Sequence, residues 1–105
     1  MTTTAERLGR IHEQIDAAAA AVEADVGASP VLGAVMQELA RKARKALDGL
    51  PGADATGLRM SIVEVEQAAD SAKVAAEADA GVSDAARQAV LDAHFAICIL
   101  KAKTA

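Results

Sequence analysis

Apolar positions recur three and four residues apart along most of the chain, and the first three runs each end near a glycine or a proline. Leu8, Ile11, Ile15, Ala18 and Val22 fall on one helical face, with Val26 expected in the last turn. Leu32, Val35, Met36, Leu39, Ala43, Ala46, Leu47 and Leu50 make a second stripe. Leu58, Ile62, Val65, Ala69, Ala72, Ala76 and Ala80 make a third, and Ala86, Val90, Ala93, Ile97 and Leu100 a fourth. This period predicts four amphipathic helices with polar residues on the opposite faces. No strand is expected, because the β-branched residues sit inside the helical period.

Start and stop signals agree with that division. Thr3-Thr4-Ala5-Glu6 has capping-box spacing, which lets the threonine and the glutamate satisfy each other's backbone donors. Ser29-Pro30 sets a capping hydroxyl before a residue that has no N–H to lose. Asp54 or Thr56 caps the third helix, and Ser83-Asp84 opens the fourth with an acidic first turn. Gly27 and Gly81 are expected to take the left-handed conformation past a helix C-terminus. Gly33, inside the second helix, is expected to mark a close helix crossing.

One stretch occurs twice. Glu23-Ala24-Asp25-Val26-Gly27-Ala28-Ser29 returns as Glu77-Ala78-Asp79-Ala80-Gly81-Val82-Ser83, 54 residues later. The same offset pairs Leu8 with Ile62, Ile11 with Val65, Asp16 with Asp70, Leu39 with Ala93 and Ala46 with Leu100. A duplicated hairpin accounts for this, and so does convergence on a common helix period. The expected fold is all-α: an antiparallel up-down four-helix bundle of two tandem helical hairpins. The whole chain, 1–105, forms one domain, with hairpins at 4–50 and 58–103 and a Pro/Gly/Asp-rich linker at 51–57. The runner-up is a pair of extended hairpins that fold only as an intertwined dimer.

Composition sharpens this picture. Of 105 residues, 28 are alanine and one is phenylalanine, with no tyrosine or tryptophan. The core must come from aliphatic side chains and close backbone approach, and its modest area favours oligomerisation. The net charge of -4 weighs against a general nucleic-acid binder. Charge alternates along the chain, with nets of -3 over 4–26, +2 over 30–50, -4 over 54–80 and +1 over 81–105. Neighbouring helices of an up-down bundle are thereby complementary. A single cysteine, Cys98, excludes an intrachain disulfide. The first residues lack a signal-peptide pattern, and no run approaches the 18 or so apolar residues of a membrane span. A soluble cytoplasmic protein with no membrane association is expected.

Candidate chemistry is sparse. Neither His12 nor His94 has a glutamate three positions before it, so the helical di-metal pattern is missing. His12 can reach Asp16 one turn on. His94 and Cys98 have the i,i+4 spacing of two soft-metal ligands, one short of a site unless His12 or a partner chain contributes. Met36 and Met60 add possible haem ligands, but there is no Cys-x-x-Cys-His motif and the alanine seam is narrow for a macrocycle. Phosphotransfer at His12 is disfavoured by Glu13 and Asp16. Cys98, between apolar neighbours, reads as a buried inert thiol. No catalytic triad or phosphate loop is evident, so neither an enzyme nor a cofactor is expected.

Two surfaces remain. Arg41, Lys42, Arg44 and Lys45 form a basic helix face, read as solvated, or as a docking patch for an acidic protein partner. Phe95-Ala96-Ile97-Cys98-Ile99-Leu100 is apolar around the whole helix, more than one seam can bury. Met60, Val63 and Val74 add apolar positions off the seam of the third helix. Together they predict a homodimer interface. The residues match no family motif. The expected role is protein–protein interaction or self-association; the alternative is metal, haem or small-ligand binding through His12 and His94.

Overall fold

The computed structural model describes residues 2–104; Met1 and Ala105, the ends of the expected domain, lie outside it. Four helices make up the chain: α1 (Thr4–Ala24), α2 (Pro30–Asp48), α3 (Ala55–Ala78) and α4 (Asp84–Thr104). Each packs against its chain neighbour and α4 closes on α1, while the diagonal pairs stay apart among the described residues. The result is the expected up-down bundle, 41 Å long and about half as wide.

The helix starts follow the sequence. Thr3 Oγ1 accepts from the Glu6 N–H at 3.1 Å, and Glu6 Oε1 accepts from the Thr3 N–H at 3.4 Å. Ser29 and Ser83 accept from the Leu32 and Ala86 N–H groups, each at 3.2 Å. For α3 the cap is Asp54, which accepts from Gly57 N–H at 2.7 Å, while Thr56 lies inside the first turn.

Leu8, Ile15, Leu32, Met36, Leu39, Ile62, Val65, Val90 and Ile97 are fully buried along the axis. Between them sit buried alanines, with Ala43, Ala69, Ala72, Ala76 and Ala93 wholly excluded from solvent. Alanine gives little area per residue but lets helix backbones approach closely, so the bundle is slender. Opposite charges meet across lateral seams, with Lys45 Nζ 4.0 Å from Glu64 on α3 and Lys101 Nζ 3.0 Å from Glu66. Glu38 pairs with Arg41 at 2.6 Å, not with Lys42, because the guanidinium fork can take both carboxylate oxygens.

The helix ends differ from expectation, for one reason. α1 stops at Ala24, leaving Val26 fully exposed in the loop, and α3 stops at Ala78, leaving Ala80 exposed. Each helix is ended by an aspartate in extended backbone, Asp25 (φ -87°, ψ 107°) or Asp79 (φ -84°, ψ 105°). Neither Gly27 nor Gly81 takes a positive φ; Gly52 alone does among the described residues. These glycines serve contact instead. The two loops lie against each other at one end of the bundle, and a Cβ on either Gly27 or Gly81 would collide with the other's carbonyl. Each aspartate then bridges both loops. Asp25 accepts from its own Gly27 N–H at 2.9 Å and from Ser83 N–H at 2.8 Å. Asp79 accepts from Gly81 N–H at 3.0 Å and from Ser29 N–H at 2.8 Å. Gly33, by contrast, has open space where a Cβ would stand, so it marks no close crossing.

The clasp is reciprocal, but its surroundings are not. Arg87 donates to the carbonyls of Ala76 (3.1 Å), Asp79 (2.9 Å) and Val82 (3.3 Å), tying down the α3 terminus. The position 54 residues earlier is Gly33, so the α1 terminus has no such clamp.

Substituting Gly27 by Ala should destabilise the fold by about 3 kcal/mol, since backbone must move to admit the methyl. Gly33→Ala should instead stabilise by about 0.5–1 kcal/mol through helix propensity. Chemical denaturation of the two variants tests the contrast; equal effects would contradict the loop contact. The pKa of each clasp aspartate is also lowered, chiefly by the hydrogen bond from the opposite loop's serine N–H. A carboxyl with a depressed folded pKa stabilises fully above its unfolded value and loses that contribution as pH falls through the folded one. The melting temperature should therefore fall as pH drops below about 4. Asp79→Asn should melt lower at neutral pH and lose less on acidification, as thermal melts followed by circular dichroism would show.

Candidate functional site

The two histidines occupy different seams. His12 lies on the α1 side of a groove toward α2, with its Nε2 3.4 Å from Asp16 and with Arg41 and Arg44 on the far wall. His94 lies in the α3–α4 seam. A single site using both is not formed. Met36 is buried in the core and Met60 is exposed on α3, so the haem ligands do not converge either.

What the structure does bring together is Asp70, His94 and Cys98. His94 Nε2 is 2.7 Å from Asp70 Oδ1 and 3.5 Å from Cys98 Sγ. One ligand atom from each residue falls within 4.8 Å of the others. The imidazole is 18% exposed and the carboxylate 56%, so the cluster sits at the lip of the seam. One turn further along α4, Lys101 meets Glu66. The antiparallel register is responsible: moving up α4 from His94 to Lys101 moves back along α3 from Asp70 to Glu66.

Asp70 is the residue that sequence reasoning missed as a site member, having figured only as the counterpart of Asp16 in the repeat. The signal was present. Asp70 and His94 each stand twelve positions from Val82, so in an antiparallel hairpin turning there they face each other.

Cys98 is half-buried, not enclosed in the core as expected. Burial raises its thiol pKa, and the nearby Glu66 and Asp70 carboxylates raise it further against the weaker pull of Lys101 and Lys73. That is the reverse of what a nucleophilic cysteine requires.

The apolar candidates are mostly on the surface. Met60 is 64% exposed, Val74 65%, Phe95 66% and Ile99 41%; Val63 is half-buried. Phe95 and Ile99 stack one turn apart on α4. Met60 and Val74 lie fourteen residues apart on α3, roughly 21 Å along its axis. Ile99 also edges a shallow apolar groove against Ile11, Ala96 and Leu100, rimmed by Arg7 and Arg10 of α1. On the basic face, Arg41 is taken up by Glu38 and Lys45 lies 4.0 Å from Glu64. Lys42 and Arg44 make no ion pair among the described residues, where no helix is long and apolar enough to cross a membrane.

Alkylation of Cys98 by iodoacetamide should be slow at neutral pH, with a rate midpoint above that of a free thiol. Glu66→Gln should move the midpoint down by removing one of the carboxylates that oppose ionisation; an unmoved midpoint would remove Glu66 from the account. No protein-family model matches the chain, and comparisons with curated proteins and with solved structures give no significant match.

Proposed function

We propose that the chain works by protein–protein interaction in the cytoplasm, with a second copy of itself as first partner and the outer face of α4 as the interface. One observation carries this reading: the only aromatic residue, Phe95, is 66% exposed, while nine of the 22 buried apolar residues among those described are alanine. Burying an aromatic side chain stabilises by about 1.5–3 kcal/mol, which an intrachain core this thin would benefit from. The fold turns Phe95 outward, next to Ile99. Aromatic anchors of this kind dominate interface energetics.

Charge supports a two-fold arrangement. Exposed Asp92 lies before the Phe95/Ile99 pair and exposed Lys103 beyond it. Two α4 helices packed antiparallel set Phe95 of one against Ile99 of the other, with Asp92 opposite Lys103 at both ends. Such a contact is self-complementary, as a two-fold dimer requires. Met60, Val63 and Val74 are further apolar positions on α3, separated from the Phe95/Ile99 pair by the Asp70–His94 and Glu66–Lys101 contacts in the α3–α4 seam. The Arg41–Lys45 face is the lesser candidate, a docking patch for an acidic protein, because two of its four cations are already engaged within the chain. No catalytic role is assigned. The matching contacts of the two loops support reading the chain as an internal repeat of one helical hairpin.

Sedimentation equilibrium of the wild-type chain should show a dimer. Ile99→Lys should weaken it roughly 10- to 100-fold with unchanged helix content. A wild-type monomer at micromolar concentration, or a dimer indifferent to both Ile99→Lys and Phe95→Glu, would overturn the reading.

A further inference from the structure

We propose that Asp70, His94 and Cys98 form a binding site for one borderline transition-metal ion, of the zinc class, within a single chain. The inference is independent of self-association. It rests on donor type and donor spacing. One imidazole nitrogen, one thiol sulfur and one carboxylate oxygen are a mixed set that suits zinc or cobalt rather than magnesium or calcium, which prefer all-oxygen ligands.

Two of the three spacings fit with small adjustment, and the third, Asp70 to Cys98, lies within 4.8 Å and must be met by movement of the Asp70 side chain. In a tetrahedral site with bonds of about 2.0–2.3 Å, ligand atoms stand roughly 3.3–3.8 Å apart by geometry. His94 Nε2 and Cys98 Sγ are already 3.5 Å apart. The His94–Asp70 contact, at 2.7 Å, is a hydrogen bond and must open by about half an ångström for a bound ion. Asp70 is more than half exposed and free to do so. The three donors come from two packed helices, two of them one turn apart on α4, so the scaffold fixes most of the geometry beforehand.

A second argument concerns protons. Both contacts use the same nitrogen of His94. If that nitrogen carries a proton, it donates to Asp70 and has no lone pair for the thiol. If it does not, it can accept from Cys98 but leaves Asp70 without a donor. Protein groups alone therefore never satisfy both contacts at once, and solvent serves the exposed Asp70 carboxylate when the ring does not. A cation at that point serves all three groups, with the imidazole neutral, the thiol ionised and its proton released to solvent. The carboxylates of Glu66 and Asp70, which oppose a bare thiolate, favour a divalent ion. A fourth position would be left to solvent, which reaches both His94 and Asp70.

The test uses the full chain and cobalt(II) as the probe. With no tryptophan or tyrosine, the protein is nearly transparent in the near ultraviolet, so a thiolate-to-cobalt charge-transfer band is read directly. The expected result is that band at one ion per chain, zinc displacing it, and binding that tightens as pH rises because a thiol proton is released. Asp70→Asn and His94→Ala should each weaken binding by roughly tenfold or more, and His12→Ala should leave it unchanged. Asp70, being exposed, can be replaced without risk to the fold. Absence of the band in the wild-type chain would overturn the proposal. So would one ion per two chains, or binding that survives loss of both Asp70 and His94.

Discussion

Everything at the Asp25/Asp79 end of the bundle depends on the meeting of Gly27 with Gly81. Two helix-to-helix loops cross at a separation that admits no Cβ. Because the backbones touch, each aspartate reaches across to the serine N–H of the other loop while holding its own glycine N–H. Those serines cap α2 and α4, and the aspartates end α1 and α3. One contact thus sets where α1 and α3 end and where α2 and α4 begin, and it fastens the two hairpins to each other far from the 51–57 linker that joins them covalently. Carboxylates here are acceptors from backbone donors, and their lowered pKa values express that role.

The alanine-rich seam has a complementary effect. Small side chains bring the helices together but enclose little volume, and the aliphatic layers around Leu8, Ile15, Leu39, Ile62 and Ile97 already fill it. Phe95 falls between the buried Ala93 and Ile97, on the side of α4 away from its seam. Phe95, Met60 and Val74 are left on outer faces, which is why the surface, not the interior, carries the features that suggest binding.

Approximate symmetry makes the differences between the hairpins informative. Asp70 corresponds to Asp16, but His94 corresponds to Ala40, Cys98 to Arg44, Glu66 to His12 and Arg87 to Gly33. The α3–α4 seam has accumulated donors, acceptors and a thiol in hydrogen-bonding range. Its counterpart between α1 and α2 is an open groove with one local histidine–aspartate contact. Both hairpins share the loop contact, and the Asp70, His94 and Cys98 cluster sits on the second.

Sequence by itself determined the helices, the N-terminal caps of α1, α2 and α4 and the up-down order, because these follow from local spacing: the three-four apolar period, Thr3 with Glu6, Ser29 before Pro30, Ser83 before Asp84, and alternating charge. It also marked the repeated loop as the organising stretch, though for the wrong reason. Local rules assign a glycine after a helix to the left-handed region, and only the packed structure shows that Gly27 and Gly81 answer to each other. The same limit hid Asp70 from the His94–Cys98 pair and placed Val26 in a helix that ends two residues sooner. Each of these depends on what another segment supplies at a distance: a carbonyl, an N–H group or a carboxylate. Such partners are fixed by tertiary register, and a one-dimensional period does not contain them.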